Sequence, residues 1–115
     1  MAADGQGAAA GERYRAISGR AGITPEYADL ALLQAIRAEA ANGEAGALIA
    51  ELDPLAADGA PYRLLATELR AILNLKRGET GAAHADLQAI LDDPGATDGL
   101  RLRANEMLSI SGGGT

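Results

Sequence analysis

Apolar residues recur along much of this chain at intervals of three and four, which is the spacing of one face of an α-helix. The clearest example is residues 60–77, where a first apolar stripe comprises Tyr62, Leu65, Ala66, Leu69, Ile72 and Leu73. A second stripe comprises Leu64, Ala71 and Leu75. A helix that is apolar on two sides needs a neighbour on each side. We therefore predict that residues 60–77 form the central helix of the fold.

Glycine, proline and capping residues divide the rest of the chain into shorter helices. Thr24-Pro25-Glu26 is a typical helix start, because threonine caps the first turn and proline suits the first helical position. We predict helices over residues 24–42, 44–59, 80–92 and 98–110. Pro54 removes a backbone hydrogen bond, so the helix over residues 44–59 should kink or end there. A flexible segment, residues 1–11, is expected to run into a short, frayed helix over residues 7–18.

Composition supports an all-α domain and excludes several kinds of function. Alanine and leucine, both strong helix formers, are the commonest residue types, and valine, phenylalanine and tryptophan are absent. The net charge of −6 argues against a nucleic-acid surface, and the lack of cysteine removes disulfides, thiolate metal sites and cysteine nucleophiles. No apolar stretch approaches the ~20 residues of a membrane helix. One helical domain, residues 12–110, is expected before a disordered tail, residues 111–115.

An internal repeat organises these helices. The turns at Gly43 and Gly78 lie 35 residues apart, and the same offset relates Tyr27 to Tyr62. Further apolar pairs at this offset are Leu52 and Leu87, Leu65 and Leu100, and Leu73 and Leu108. A tetratricopeptide repeat is a helical hairpin with a period of ~34 residues. We predict a right-handed superhelix of two repeats, residues 24–59 and 60–94, with a truncated helix before them and a capping helix over residues 97–110. A plain antiparallel bundle is the alternative.

The C-terminal half also resembles a known family. The resemblance rests on LDPLAADGAPYR at residues 52–63, ATEL at 66–69, KRGET at 76–80, LDDP at 91–94 and GLR at 99–101. It extends over about residues 14–109. These segments are similar to the tetratricopeptide-like domain of the ancillary SecYEG translocon subunit and cell division coordinator family, in its alphaproteobacterial form.

The resemblance implies a repeat domain on the periplasmic side of the bacterial inner membrane. Family members carry an N-terminal membrane anchor and early repeats, and this chain shows neither, so the chain by itself is expected to be soluble. The implied partners are proteins, namely the Sec translocon or periplasmic chaperones. The resemblance implies no cofactor.

A polar stripe on the predicted central helix is the candidate partner-binding site. Arg63, Thr67, Arg70, Asn74 and Arg77 are spaced four, three, four and three residues apart, so they share one face. Arginine guanidinium groups bind carboxylates through paired hydrogen bonds. We predict that this stripe contacts a partner protein; an ordinary solvated helix face is the alternative.

No catalytic, cofactor-binding or metal-binding residue is assigned. His84 is the only histidine, and the sequence places no nucleophile or acidic partner beside it. The acidic residues near helix ends lack the spacing of a calcium loop. Tyr27 and Tyr62 are expected to pack between helices. The predicted function is therefore non-catalytic protein binding, with a helical scaffold or homo-oligomerisation domain as the first alternative and a small enzyme using His84 as the second.

Overall fold

The computed structural model describes the backbone of residues 2–112 and the side chains of residues 7–112. All regular secondary structure in this part of the chain is helical, and the part contains no strand. Its elements are α1 (Ala2–Ser18), α2 (Pro25–Glu39), α3 (Ala45–Leu52), a 3-10 turn (Asp53–Ala56), α4 (Arg63–Lys76), α5 (Thr80–Asp92) and α6 (Asp98–Ile110). The all-α prediction is confirmed.

Side-chain caps fix where several helices begin. Thr24 Oγ1 accepts a hydrogen bond from the backbone N–H of Tyr27, and Thr97 Oγ1 accepts one from Leu100. Glu44, which was not predicted as a cap, accepts from the N–H groups of Gly46 and Ala47 at 3.1 and 2.6 Å. Such caps satisfy N–H groups that have no partner within the helix. The predicted starts of α2, α5 and α6 are confirmed.

The central helix and the proline kink differ slightly from their predicted forms. The chain turns at residues 61–62, and α4 begins at Arg63 rather than at residue 60. Tyr62 has a φ of −114° and a ψ of 31°, which are not helical values. Pro54 lies inside the 3-10 turn that follows α3, so the predicted break in that helix is confirmed.

The first helix is longer than the sequence indicates. Residues 2–11, which we expect to be flexible, form the first part of α1. Gly7 and Gly11 face α2 so closely that an added Cβ atom would lie 2.8 Å from the Ala38 carbonyl oxygen and 2.0 Å from Glu39 Oε2. The glycines thus allow the two helices to approach, which offsets their poor helix propensity. At the other end, the disordered tail is predicted at residues 111–115; Ser111 and Gly112 form a turn, and residues 113–115 lie outside the described residues.

Two apolar cores hold the helices together. The first joins α2, α3, the 3-10 turn and α4 through Leu33, Ile36, Leu48, Ile49, Leu52, Leu55, Ala66, Leu69 and Leu73. The second joins α4, α5 and α6 through Ala71, Ala83, Leu87, Ile90, Ala96, Leu100, Ala104 and Leu108. Because α4 contributes to both cores, its predicted central position is confirmed. Consecutive helices pack on one another, and the molecule is flat, with extents of 46 × 36 × 22 Å.

Candidate interaction surfaces

The predicted partner-binding stripe of α4 lies against α5 and not in an open groove. Thr67 and Asn74 are only 6% and 4% exposed, and Thr67 Oγ1 donates a hydrogen bond to the backbone carbonyl of Arg63. Arg77 Nε donates to Asn74 Oδ1 at 3.0 Å. The five residues do share one face of α4, but neighbouring elements of the same chain cover most of it.

The first two of the three arginines of this stripe, Arg63 and Arg70, already bind carboxylates. Arg63 Nη2 donates to Asp93 Oδ2 at 2.7 Å. Arg70 donates to both carboxylate oxygens of Asp86, at 2.8 and 3.0 Å, and to Asp53 at 3.0 Å. The pKa of Arg70 is raised, chiefly by the hydrogen bond to Asp86. The pKa of Asp93 is lowered by the N–H of Gly95 and then by Arg63.

The chain itself supplies the carboxylates that Arg63 and Arg70 bind, and partner binding by this stripe stays a prediction. A signal for the correct pairing does exist in the sequence. Arg63 and Arg70 are seven residues apart, and so are Asp86 and Asp93. In two antiparallel helices joined by the turn at Gly78, equal spacing brings each arginine opposite one aspartate.

A second ion-pair cluster, which sequence reasoning missed, joins the first three helices. Arg15 of α1 donates to both carboxylate oxygens of Glu39 on α2 at 2.7 and 3.0 Å. It also donates to both oxygens of Glu51 on α3 at 2.5 and 2.8 Å. The hydrogen bond from Arg15 lowers the pKa of Glu51, and the same bond raises the pKa of Arg15. The residues are 24 and 36 positions apart, so no local spacing indicates the cluster.

The lowered pKa of Glu51 predicts a loss of stability in acid. The Glu51 carboxylate binds a proton less readily in the folded chain than in the unfolded chain. The ionised carboxylate therefore stabilises the fold above its ordinary pKa, and this stabilisation is lost as the pH falls below about 4.5. Urea unfolding across this range should show a smaller pH dependence for Glu51→Gln than for the original chain. Glu12→Gln, which changes an exposed carboxylate, is the control and should retain the original slope. Equal slopes for all three proteins would contradict the prediction.

An open surface lies across α2, α4 and α6. Its lining residues, which define the α2–α4–α6 face, are Arg37, Glu68, Leu69, Ile72 and Arg103. Glu68 is 7% exposed and accepts two hydrogen bonds from Arg103, at 2.7 and 3.2 Å. Arg37 is exposed and forms no ion pair among the side chains that are described. The face thus combines an apolar floor with one available guanidinium group.

A second open surface is an apolar groove between α1 and α2. The lining residues, which define the α1–α2 groove, are Tyr14, Ile17, Tyr27, Leu30, Ala31 and Gln34. Tyr27 is 65% exposed here, whereas Tyr62 packs against the first core. The expectation that both tyrosines pack between helices is therefore correct for Tyr62 and wrong for Tyr27, since no described element covers Tyr27.

His84 forms a structural contact with the end of α6. Its Nε2 atom lies 2.7 Å from Ser111 Oγ, and that hydroxyl donates to the backbone carbonyl of Met107 at 2.6 Å. The contact ties α5 to the turn after α6. Among the described residues, no group of three histidine, cysteine or acidic side chains is placed to hold a metal ion.

Within residues 2–112, no helix is both long and apolar enough to cross a membrane. Comparison of the chain with protein-family models, curated proteins and solved structures found no match.

Proposed function

We propose that this chain is a non-catalytic protein-binding module built from stacked tetratricopeptide-like helical hairpins. The observation that carries the proposal is a set of polar contacts between alternate helices at an almost constant sequence separation. Tandem hairpins stack so that equivalent helices become neighbours, which places contacts one repeat length apart.

Three side chains make contacts with this separation, and each joins a helix to the next equivalent helix. Arg15 of α1 and Glu51 of α3 are 36 residues apart. Lys76 at the end of α4 donates to the carbonyl oxygen of Ala41, just after α2, at a separation of 35. Arg103 of α6 and Glu68 of α4 are also 35 apart. The sequence repeat has the same offset of 35, so the contacts and the repeat support one arrangement.

The stacking makes the α2–α4–α6 face the best candidate for binding. These three helices are the first members of their hairpins, and stacked repeats use such rows of equivalent helices as extended binding surfaces. Ile72, which is partly exposed, offers apolar contact, and Arg37 can bind a carboxylate through two hydrogen bonds. We propose that the ligand is a peptide segment with an apolar side chain and a nearby acidic group.

A capture experiment with matched variants tests this assignment. Tagged original chain, Arg37→Glu and Ala89→Glu would be produced at equal levels in the source cells, crosslinked and compared by quantitative mass spectrometry. Arg37→Glu reverses the charge of the α2–α4–α6 face, whereas Ala89 is an exposed position on α5. A protein bound through the face should be captured by the original chain and by Ala89→Glu. Its affinity for purified Arg37→Glu should be about tenfold lower than its affinity for the purified original chain. Equal binding to all three chains would refute the assignment.

The identity of the captured protein tests the rest of the proposal. The family resemblance implies the Sec translocon or periplasmic chaperones at the bacterial inner membrane. Recovery of these proteins would support that role, whereas recovery of unrelated proteins alone would leave a binding module with another partner.

A further inference from the structure

The α2–α4–α6 face contains a buried carboxylate at a position where α2 has an apolar residue. Glu68 of α4 is buried, and glutamate is almost never buried unless it is paired. Its equivalent one repeat earlier is Leu33, which belongs to the first core and has no exposed surface. A leucine fills that position without the cost of removing a charge from water. Packing alone therefore does not account for a glutamate here.

Glu68 holds the guanidinium group of Arg103 through two of the three guanidinium nitrogen atoms. Arg103 Nε donates to Glu68 Oε2 at 2.7 Å, and Arg103 Nη2 donates to Glu68 Oε1 at 3.2 Å. Two parallel hydrogen bonds of this kind fix both the position and the plane of a guanidinium group. The buried carboxylate therefore sets the direction in which the rest of the Arg103 guanidinium group points.

The third guanidinium nitrogen atom of Arg103 is open to a ligand. Nη1 donates no hydrogen bond to any residue that the structure describes, and 52% of the Arg103 side chain is exposed. Gly99 lies one turn earlier on α6 and has no side chain to cover Nη1; a Cβ atom added there would lie 3.7 Å from it. An acidic group can therefore approach Nη1 from solvent while Glu68 keeps its two hydrogen bonds.

The exposed guanidinium group of Arg37 lies on the same face but comes from a different helix. Arg37 belongs to α2 and Arg103 to α6, and Ile72 of the central helix α4 lines the surface with them. Together with Glu68, the two arginines give the face a net positive charge, whereas the whole chain has a net charge of −6. The face therefore complements an acidic ligand that also carries an apolar group.

We propose that the α2–α4–α6 face binds an acidic peptide at two points, with Arg37 and Arg103 each binding one carboxylate and Ile72 contacting an apolar side chain between them. The inference rests on the proposed function and adds a second anchor to it. Glu68 is a positioning residue, because it presents Arg103 Nη1 in one place without itself contacting the peptide. A site held in one geometry in this way selects its ligand by spacing as well as by charge.

Random dodecapeptides displayed on phage provide the probe. They would be selected on the original chain, Arg37→Gln, Arg103→Gln and the control Arg13→Gln; all three arginines are exposed. The original chain and the control should select peptides with two acidic residues, one on each side of an aliphatic residue. Arg37→Gln and Arg103→Gln should each lose the preference for one acidic residue, and the two variants should lose opposite ones. In fluorescence polarisation, each should bind the original peptides about tenfold more weakly.

Glu68→Leu separates a positioning role from a structural one. It places in α4 the residue type that α2 has at the equivalent Leu33, so the fold should be retained, which circular dichroism checks. The variant frees Arg103, so the second acidic residue should be selected at several spacings from the aliphatic residue instead of one, whatever the change in affinity. The double variant Glu68→Leu/Arg103→Gln leaves no unpaired carboxylate and should select the same peptides as Arg103→Gln, even if Arg103→Gln alone folds poorly.

The outcomes distinguish the second anchor from the proposed function. Selected peptides with a single acidic residue, whose binding is lost in Arg37→Gln and kept in Arg103→Gln, would overturn the second anchor and leave the proposed binding face in place. Peptides that bind both variants as tightly as the original chain would overturn both proposals, and so would a selection that enriches no peptide. An unchanged spacing in the peptides selected on Glu68→Leu would overturn the positioning role of Glu68.

Discussion

Replacing Leu52 by alanine is expected to lower the free energy of unfolding by about 2–5 kcal/mol. Leu52 has no exposed surface and lies where α3 ends and the 3-10 turn begins, packed among residues of α2 and α4. Removing its side chain leaves a cavity that these elements can fill only in part. Small domains have little stability to lose, of order 5–15 kcal/mol, so a large fraction of the chains should unfold on mild heating.

Urea unfolding of the original chain, Leu52→Ala and Leu102→Ala tests this expectation. Leu102 supplies the matched control, because the same side chain is removed from a position that is 60% exposed. Its replacement should change stability by less than about 0.5 kcal/mol. A similar loss for both variants would show that Leu52 does not occupy the core described above.

The positions of the helices could be predicted because the signals that start and end helices are local. Thr24 and Pro25 begin α2, and Pro54 ends α3, through backbone geometry that depends on adjacent residues only. The offset of 35 could likewise be read from the turns at Gly43 and Gly78. The same offset, within one residue, separates the residues whose side chains join alternate helices.

The orientation of the polar faces could not be predicted in this way. Periodicity places Arg63 and Arg70 on one side of α4, but it does not say whether that side meets water or another helix. Here α5 covers it, with Asp86 and Asp93 at the matching positions. The cluster around Arg15 depends on three helices that are distant in sequence. The glycine-rich composition of the first residues predicted a flexible segment. The reason for those glycines, the close approach of α1 to α2, is visible only in three dimensions.

Replacing Arg70 by alanine is expected to cost about 1–3 kcal/mol of stability, because Asp86 then loses both of its charged hydrogen bonds. The Asp86 side chain is 14% exposed, so water can replace the lost hydrogen bonds only in part. The arginine keeps 26% of its side-chain surface in contact with water, and we therefore expect the lower half of this range. Arg37→Ala is the control, since Arg37 is exposed and forms no ion pair among the described residues, and it should change stability by less than about 0.5 kcal/mol.

A double-mutant cycle separates the structural role of Arg70 from the partner-binding role predicted from the sequence. If Arg70 and Asp86 interact, Asp86→Ala should remove most of the cost of Arg70→Ala, giving a coupling energy of about 0.5–3 kcal/mol in urea unfolding of the isolated chain. A residue reserved for a partner would instead show no coupling to Asp86, and its replacement would weaken partner binding without altering stability. Because Arg63 and Asp93 repeat this geometry seven residues away, a parallel cycle on that pair should show coupling of the same sign. Coupling in both cycles would establish that Arg63 and Arg70 hold α4 to α5. If neither cycle shows coupling, the stripe is again a candidate binding surface.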